Sequence, residues 1–228
     1  MGSFWSPSVT RGTVPSRTVH AETLFLGTID GAEIEADLIR TDDPAPRAVV
    51  VVAHPHPLHG GDRHNHVVAA IQRAAFSLDC HSIAPDFRGV GNSSGVHDDG
   101  DAERLDLAAA CELADMVEPD CPIVMAGYSF GAMVALNVTH PHVAAWLAVA
   151  PPLIMMKSEP LASSNHRPKI VVAAEHDQFA DLDELLERTA EWTNTDVRVA
   201  RGLDHFFTAD TGSICRDGLA AALDVIGV

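Results

Sequence analysis

Several short runs in the chain are apolar at almost every position: residues 48–53, 82–84, 123–126, 145–150 and 170–174. A strand with one wet face alternates apolar and polar residues. Unbroken runs of this length instead fit strands of a parallel sheet covered by helices on both faces. Two earlier stretches, residues 20–26 and 33–39, flank Asp30-Gly31, a pairing that signals a hairpin and so two antiparallel strands. A further strand is expected at residues 197–200. Between the runs the apolar positions fall at helical spacing. One stripe is Val67, Val68, Ile71, Ala74 and Ala75, and a second is Leu105, Ala108, Ala109, Leu113 and Met116. A third runs from Met133 to Leu136, a fourth from Leu182 to Trp192, and a closing helix carries Leu219, Leu223 and Ile226. Strands alternating with helices predict a doubly wound α/β sheet. Residues 1–18, rich in Ser, Thr, Pro, Gly and Arg, read as a flexible N-terminal arm before one domain over residues 19–228.

Composition narrows the partners. The 228 residues carry 32 acidic against 15 basic side chains, a formal charge of −17. So acidic a surface repels phosphate backbones and anionic lipid, which argues against nucleic-acid and membrane partners. No apolar run reaches the length of a membrane span, and the N-terminus lacks the apolar core of a secretory signal. Cys80, Cys111, Cys121 and Cys215 have no C-x-x-C spacing and sit in or beside apolar segments. They read as free thiols in a reducing compartment, so a cytoplasmic location is expected.

In an open α/β sheet, chemistry sits at the carboxyl ends of the strands. Gly127-Tyr128-Ser129-Phe130-Gly131 lies between an apolar run and a helical stripe, the setting of a nucleophile elbow. Such a turn exposes Ser129 Oγ and aims the next backbone N–H, that of Phe130, at the same space. A serine hydroxyl needs a base, and the base an orienting acid. In an elbow enzyme they follow in the order acid, then histidine. Asp177 follows the run ending at Ala174, and His205 follows the last strand. Glu175 and Asp181 compete with Asp177 for the acid role, and Asp204 is a weaker candidate.

The segments HPHPLHGG, FRGVGNSSG, GYSFGA and DHFF, in this order over residues 54–207, resemble those of small, lidless bacterial serine hydrolases of the α/β-hydrolase superfamily. The resemblance implies an eight-stranded, mostly parallel sheet with strand 2 antiparallel, and a Ser129-Asp177-His205 triad. It also implies that the His56 backbone N–H, between Pro55 and Pro57, supplies the second oxyanion donor. Three histidines within HPHPLHGG invite a metal reading. A histidine box of the H-x-H-x-D-H type has aspartate where this chain has Leu58, and the serine reading accounts for the other motifs, so no metal and no cofactor are expected. His59, His64 and His66 then read as surface residues or supports of the site loops. Asp86 and Arg88 read as residues holding those loops.

Only about twenty residues separate Ala150 from Ile170, too few for a cap domain, so the site is expected to be open. Leu58, Leu153, Met155, Phe179 and Phe206 are candidates to contact substrate, while Ile154 and Met156 read as core. The reading that follows is a serine carboxylesterase acting on small to medium ester substrates through an acyl-enzyme. A thioesterase or small amide hydrolase with the same triad is the alternative. A non-catalytic binding module and a metallohydrolase fit less well.

Overall fold

The computed structural model describes residues 20–228; the arm expected over residues 1–18 lies outside the described residues. The chain runs β1 (Ala21–Gly27), β2 (Glu33–Ile39), β3 (Val49–Ala53), α1 (His66–Ser77), β4 (His81–Pro85), α2 (Glu103–Val117), β5 (Ile123–Tyr128) and α3 (Phe130–Ala135). It continues with β6 (Val143–Val149), β7 (Lys169–His176), α4 (Leu182–Ala190), β8 (Thr195–Asp204) and α5 (Thr211–Ile226). All eight strands join one sheet in the order β1-β2-β4-β3-β5-β6-β7-β8. β2 is antiparallel to both neighbours, and the remaining pairs are parallel.

The valine run shows why the central strands lack alternation. Val49 and Val51 face the layer built from α2, α3 and α4, whereas Val50 and Val52 face α1 and α5. All four are fully buried, each contributing about 1.5–3 kcal/mol relative to exposure. α1 begins at a side-chain cap, with the Asn65 carboxamide oxygen accepting from the Val67 N–H at 2.9 Å. Between β6 and β7 the chain makes only two 3-10 turns, Leu153–Met155 and Leu161–Ser164, and no cap domain forms. Buried Lys169, at the start of β7, secures this connection by donating to the Ala162 and Asn165 carbonyls at 3.0 and 2.5 Å. Burial lowers its ammonium pKa to about 8.

Side-chain ties hold the loops at the carboxyl edge. Arg63 reaches Glu35 (2.9 Å), Asp37 (3.2 Å) and Asp86, joining β2 to the loops after β3 and β4. Arg88 pairs with fully buried Asp106 on α2 at 2.7 Å and with Asp30 of the β1–β2 turn at 2.8 Å. Arg88 draws the Asp30 carboxyl down to about 2. Asp86 and Arg88 thus hold loops, as their sequence context suggests.

Two buried histidines work through neutral rings. His54 Nε2 accepts from the Phe87 N–H at 2.9 Å, which leaves the ring proton on Nδ1, facing the Pro55 carbonyl at 2.6 Å. This single imidazole therefore ties the loop after β3 to the loop after β4. His81 Nδ1 accepts from the Thr41 N–H at 3.0 Å, and its Nε2 faces Glu118 at 3.2 Å. Burial lowers both pKa values, outweighing the Pro55 carbonyl at His54 and Glu118 at His81. Below the ordinary histidine pKa of about 6.5 the unfolded chain then binds protons that the folded chain does not, so stability falls with pH. Asp115 raises the pKa of His142, which acts in the opposite sense but is partly exposed and solvent-screened. The midpoint of thermal unfolding should hold from about pH 8 to about pH 6.5 and decline below. The decline should shrink in His81→Gln; a flat wild-type profile down to pH 5 would contradict neutral buried rings.

Candidate active site

The elbow after β5 is a steric device. Ser129 has φ 55° and ψ −121°, a conformation that costs a non-glycine residue of order 1–3 kcal/mol and persists only where its surroundings enforce it. The Ser129 N–H is bonded to the Val149 carbonyl of β6 at 2.9 Å, and α3 starts at the next residue. A Cβ at Gly127 would lie 2.5 Å from the Gly131 carbonyl oxygen, and one at Gly131 would lie 2.4 Å from that of His54. Only glycine permits either approach. The second packs the elbow directly against the end of β3, where HPHPLHGG begins.

Three side chains from three loops converge above this turn. Ser129 Oγ lies 2.8 Å from His205 Nε2, and His205 Nδ1 lies 2.8 and 2.9 Å from the two Asp177 carboxylate oxygens. Asp177 follows β7 directly and His205 follows β8, so the group spans the carboxyl edge of β5, β7 and β8. The side chains of His205 and Asp177 are 6% and 2% exposed, so their contact is shielded from water. Asp177 Oδ1 is itself held by the Phe179 and Ala180 N–H groups at 2.8 and 3.0 Å. The competing acids are engaged elsewhere. Glu175 accepts from the Gly202 N–H, Asp181 caps α4 through the Glu184 N–H, and Asp204 accepts from the Phe206 N–H.

HPHPLHGG forms the wall opposite. His56 precedes a 3-10 turn, Pro57–His59, and its carbonyl accepts from the His59 and Gly61 N–H groups at 3.1 and 3.0 Å. Its ring lies 4.9 Å from that of Phe130, and burial with the adjacent His97 and His59 lowers its pKa. Among the described residues, nothing accepts from the backbone N–H of His56 or of Phe130. Both nitrogens of His54 are committed to backbone groups, so that ring has no lone pair to give a metal.

The loop carrying His205 is held by Tyr128 and Gln178, whose part in the site has no signature in the sequence, and by His66, one of the histidines read as surface residues or loop supports. The Tyr128 hydroxyl donates to the His205 carbonyl at 2.8 Å, and the Gln178 carboxamide oxygen accepts from the His205 N–H at 3.2 Å. His66, at the start of α1, contacts the Phe206 carbonyl through Nε2 at 2.8 Å. Burial and the nearby Asp177 push the Tyr128 phenol well above its ordinary range, so it stays a donor at neutral pH.

The apolar candidates divide. Leu58, Met155, Phe179 and Phe206 are exposed near the carboxyl edge, and the Phe179 and Phe206 rings lie 4.8 and 5.8 Å from the His205 ring. Leu153, expected to contact substrate, is 1% exposed and packed in the core, whereas Ile154, expected in the core, is 57% exposed. The 3-10 turn reverses which of these neighbours points inward, and Met156 does pack against the core.

Comparison with known proteins places this geometry in context. Residues 50–225 match the model of the alpha/beta hydrolase family. An alpha-beta serine hydrolase homologue from Coxiella burnetii superposes with a TM-score of 0.81 at 25% identity, covering 88% of this chain and 96% of that one. A serine hydrolase without lid from Xanthomonas campestris gives 0.76 at 23% identity, with 92% and 97% covered. An esterase of Pyrococcus furiosus gives 0.76 at 18% identity, with 96% of each chain covered. With the family model spanning most of the chain and the sheet order and elbow agreeing with it, this protein belongs to the alpha/beta hydrolase family.

Proposed function

We propose that this protein is a serine carboxylesterase acting on small to medium esters through an acyl-enzyme on Ser129. The observation that carries the reading is the continuous contact from Asp177 through His205 to Ser129, at 2.8 Å on each side of the imidazole. The esterase from Pyrococcus furiosus, similar in fold, is consistent with it.

In this mechanism Ser129 Oγ attacks the acyl carbonyl carbon as its proton passes to His205 Nε2. Asp177 accepts the Nδ1–H bond, fixes the tautomer and offsets the imidazolium charge. The carbonyl oxygen becomes an oxyanion received by the His56 and Phe130 amides, each such donor typically worth about 10²–10³ in rate. His205 returns the proton to the departing alcohol as the C–O bond breaks. A water, deprotonated by His205, then attacks the acyl carbon, and His205 passes that proton to Ser129 Oγ as the acyl–Oγ bond breaks, releasing acid and free Ser129. Leu58, Met155, Phe179 and Phe206 offer an open apolar shelf for the acyl or alcohol part. Leu153 is left out of that shelf because it is buried.

Steady-state kinetics on p-nitrophenyl esters test the assignment. Ser129→Ala should lower kcat by about 10⁵-fold or more, and Asp177→Asn by about 10⁴-fold, with folding retained. Near-native turnover by Asp177→Asn would remove Asp177 from the mechanism. Butyrate should exceed palmitate by about tenfold in kcat/KM, since an open shelf covers little of a long chain. Equal values would argue against a preference for small substrates. A matched thioester or anilide outrunning the ester would move the activity to those classes.

Tyr128→Phe isolates the support of the histidine loop. Losing one buried hydrogen bond to the His205 carbonyl should reduce kcat about tenfold with little change in KM. An unchanged kcat would show that the loop holds its position without the phenol.

A further inference from the structure

The tripeptide His-Pro-His occurs twice, at residues 54–56 beside the elbow and at residues 140–142 before β6. The second lies at the opposite, amino-terminal rim of the sheet, where β6 starts and α2 ends. His142 Nδ1 is 2.7 Å from Asp115 Oδ1, and His140 Nε2 is 3.6 Å from Asp115 Oδ2. Glu112, one turn earlier on α2, places Oε1 3.6 Å from the same His140 nitrogen. The ligand atoms of Asp115, His140 and His142 all lie within 4.8 Å of one another.

We propose that Asp115, His140 and His142, with Glu112 as a fourth donor, form a structural binding site for a divalent transition-metal cation of the Zn2+ kind. Zn2+ holds imidazole nitrogen at about 2.0–2.1 Å and carboxylate oxygen at about 2.0–2.2 Å, which sets neighbouring tetrahedral donors near 3.4 Å apart. The 3.6 Å separations of His140 from Asp115 and Glu112 match that spacing and the 2.7 Å pair opens by under 1 Å, while the exposed Glu112 side chain must rotate to close on the other two donors. Two imidazoles with two carboxylates favour Zn2+ and its neighbours over Mg2+ or Ca2+, which take oxygen ligands.

The scaffold is preorganised. The Arg167 guanidinium donates to the His140 and Pro141 carbonyls at 3.0 and 3.1 Å, and the His142 carbonyl accepts from the Ile123 N–H at 2.8 Å. Pro141 fixes φ between the two histidines. The positive charge of Arg167 opposes a cation, but the carboxylates of Asp115, Glu112 and nearby Asp120 outweigh it. His140 Nδ1 accepts from the His142 N–H at a long 3.4 Å. Ligation through Nε2 moves the ring proton to Nδ1 and gives up that contact. The bound ion would staple the end of α2 to the loop entering β6, far from the elbow.

Titration calorimetry with ZnCl2 on the full chain, paired with thermal unfolding, tests the site. One ion per chain should bind, and at about a hundredfold excess over its Kd the unfolding midpoint should rise by roughly 5 °C. His142→Ala and Asp115→Asn should each weaken binding at least about tenfold, while His59→Ala, in the loop that follows the other His-Pro-His segment, leaves it unchanged. Wild-type protein with Co2+ should show visible absorption that equimolar Zn2+ abolishes, a readout needing no variant. Failure of wild type to bind Zn2+, or wild-type affinity in both ligand variants, would overturn the proposal.

Discussion

The arrangement at the carboxyl edge depends on one steric constraint. Gly131 lets the first turn of α3 approach the His54 carbonyl to a distance no side chain allows, and Gly127 does the same for the turn itself. Closing that gap puts Ser129 into its strained backbone conformation, and it brings the loop after β3 against the start of α3. Two outcomes follow from the same contact. Ser129 Oγ stands clear of the sheet to meet His205, and among the described residues nothing accepts from the amides of Phe130 and His56. A methyl group at either glycine would separate elements that are otherwise well packed.

Much of this was legible in the sequence because the chemistry follows strand ends. The buried strands β3, β5 and β6 betray themselves by apolar residues on both faces, and Ser129, Asp177 and His205 come directly after the ends of β5, β7 and β8. β8 was less legible: it runs from Thr195 to Asp204, longer than its apolar stretch, because an edge strand tolerates Asp196, Arg198 and Arg201. The supports of the histidine loop were barely legible: the pattern leaves His66 as a surface residue or a loop support with no partner named, and marks neither Tyr128 nor Gln178. Tyr128 reaches a carbonyl 77 residues away and His66 one 140 residues away, and a bond to a backbone group places no demand on the partner's side chain. The exchange of Leu153 and Ile154 has a similar origin, since a three-residue 3-10 turn is too short for periodicity to reveal which side faces inward.

The two His-Pro-His segments show how context decides what the same residues do. At residues 54–56 the first imidazole is buried and saturated by backbone partners, and the proposed role falls to the His56 amide between two stiff prolines. At residues 140–142 both rings turn toward carboxylates of α2, and the proline serves to hold two nitrogens near one point. Histidine spacing alone does not distinguish the two uses. What distinguishes them is whether each ring nitrogen already has a partner that it cannot leave.

The central claim is that Ser129 is a nucleophile activated by His205. Intact-mass and peptide mapping after treatment with a fluorophosphonate measure it most directly. The account predicts one adduct per chain, on Ser129, and none on folded His205→Ala under the same conditions. An adduct on another serine, or no adduct on folded wild-type protein, would contradict it.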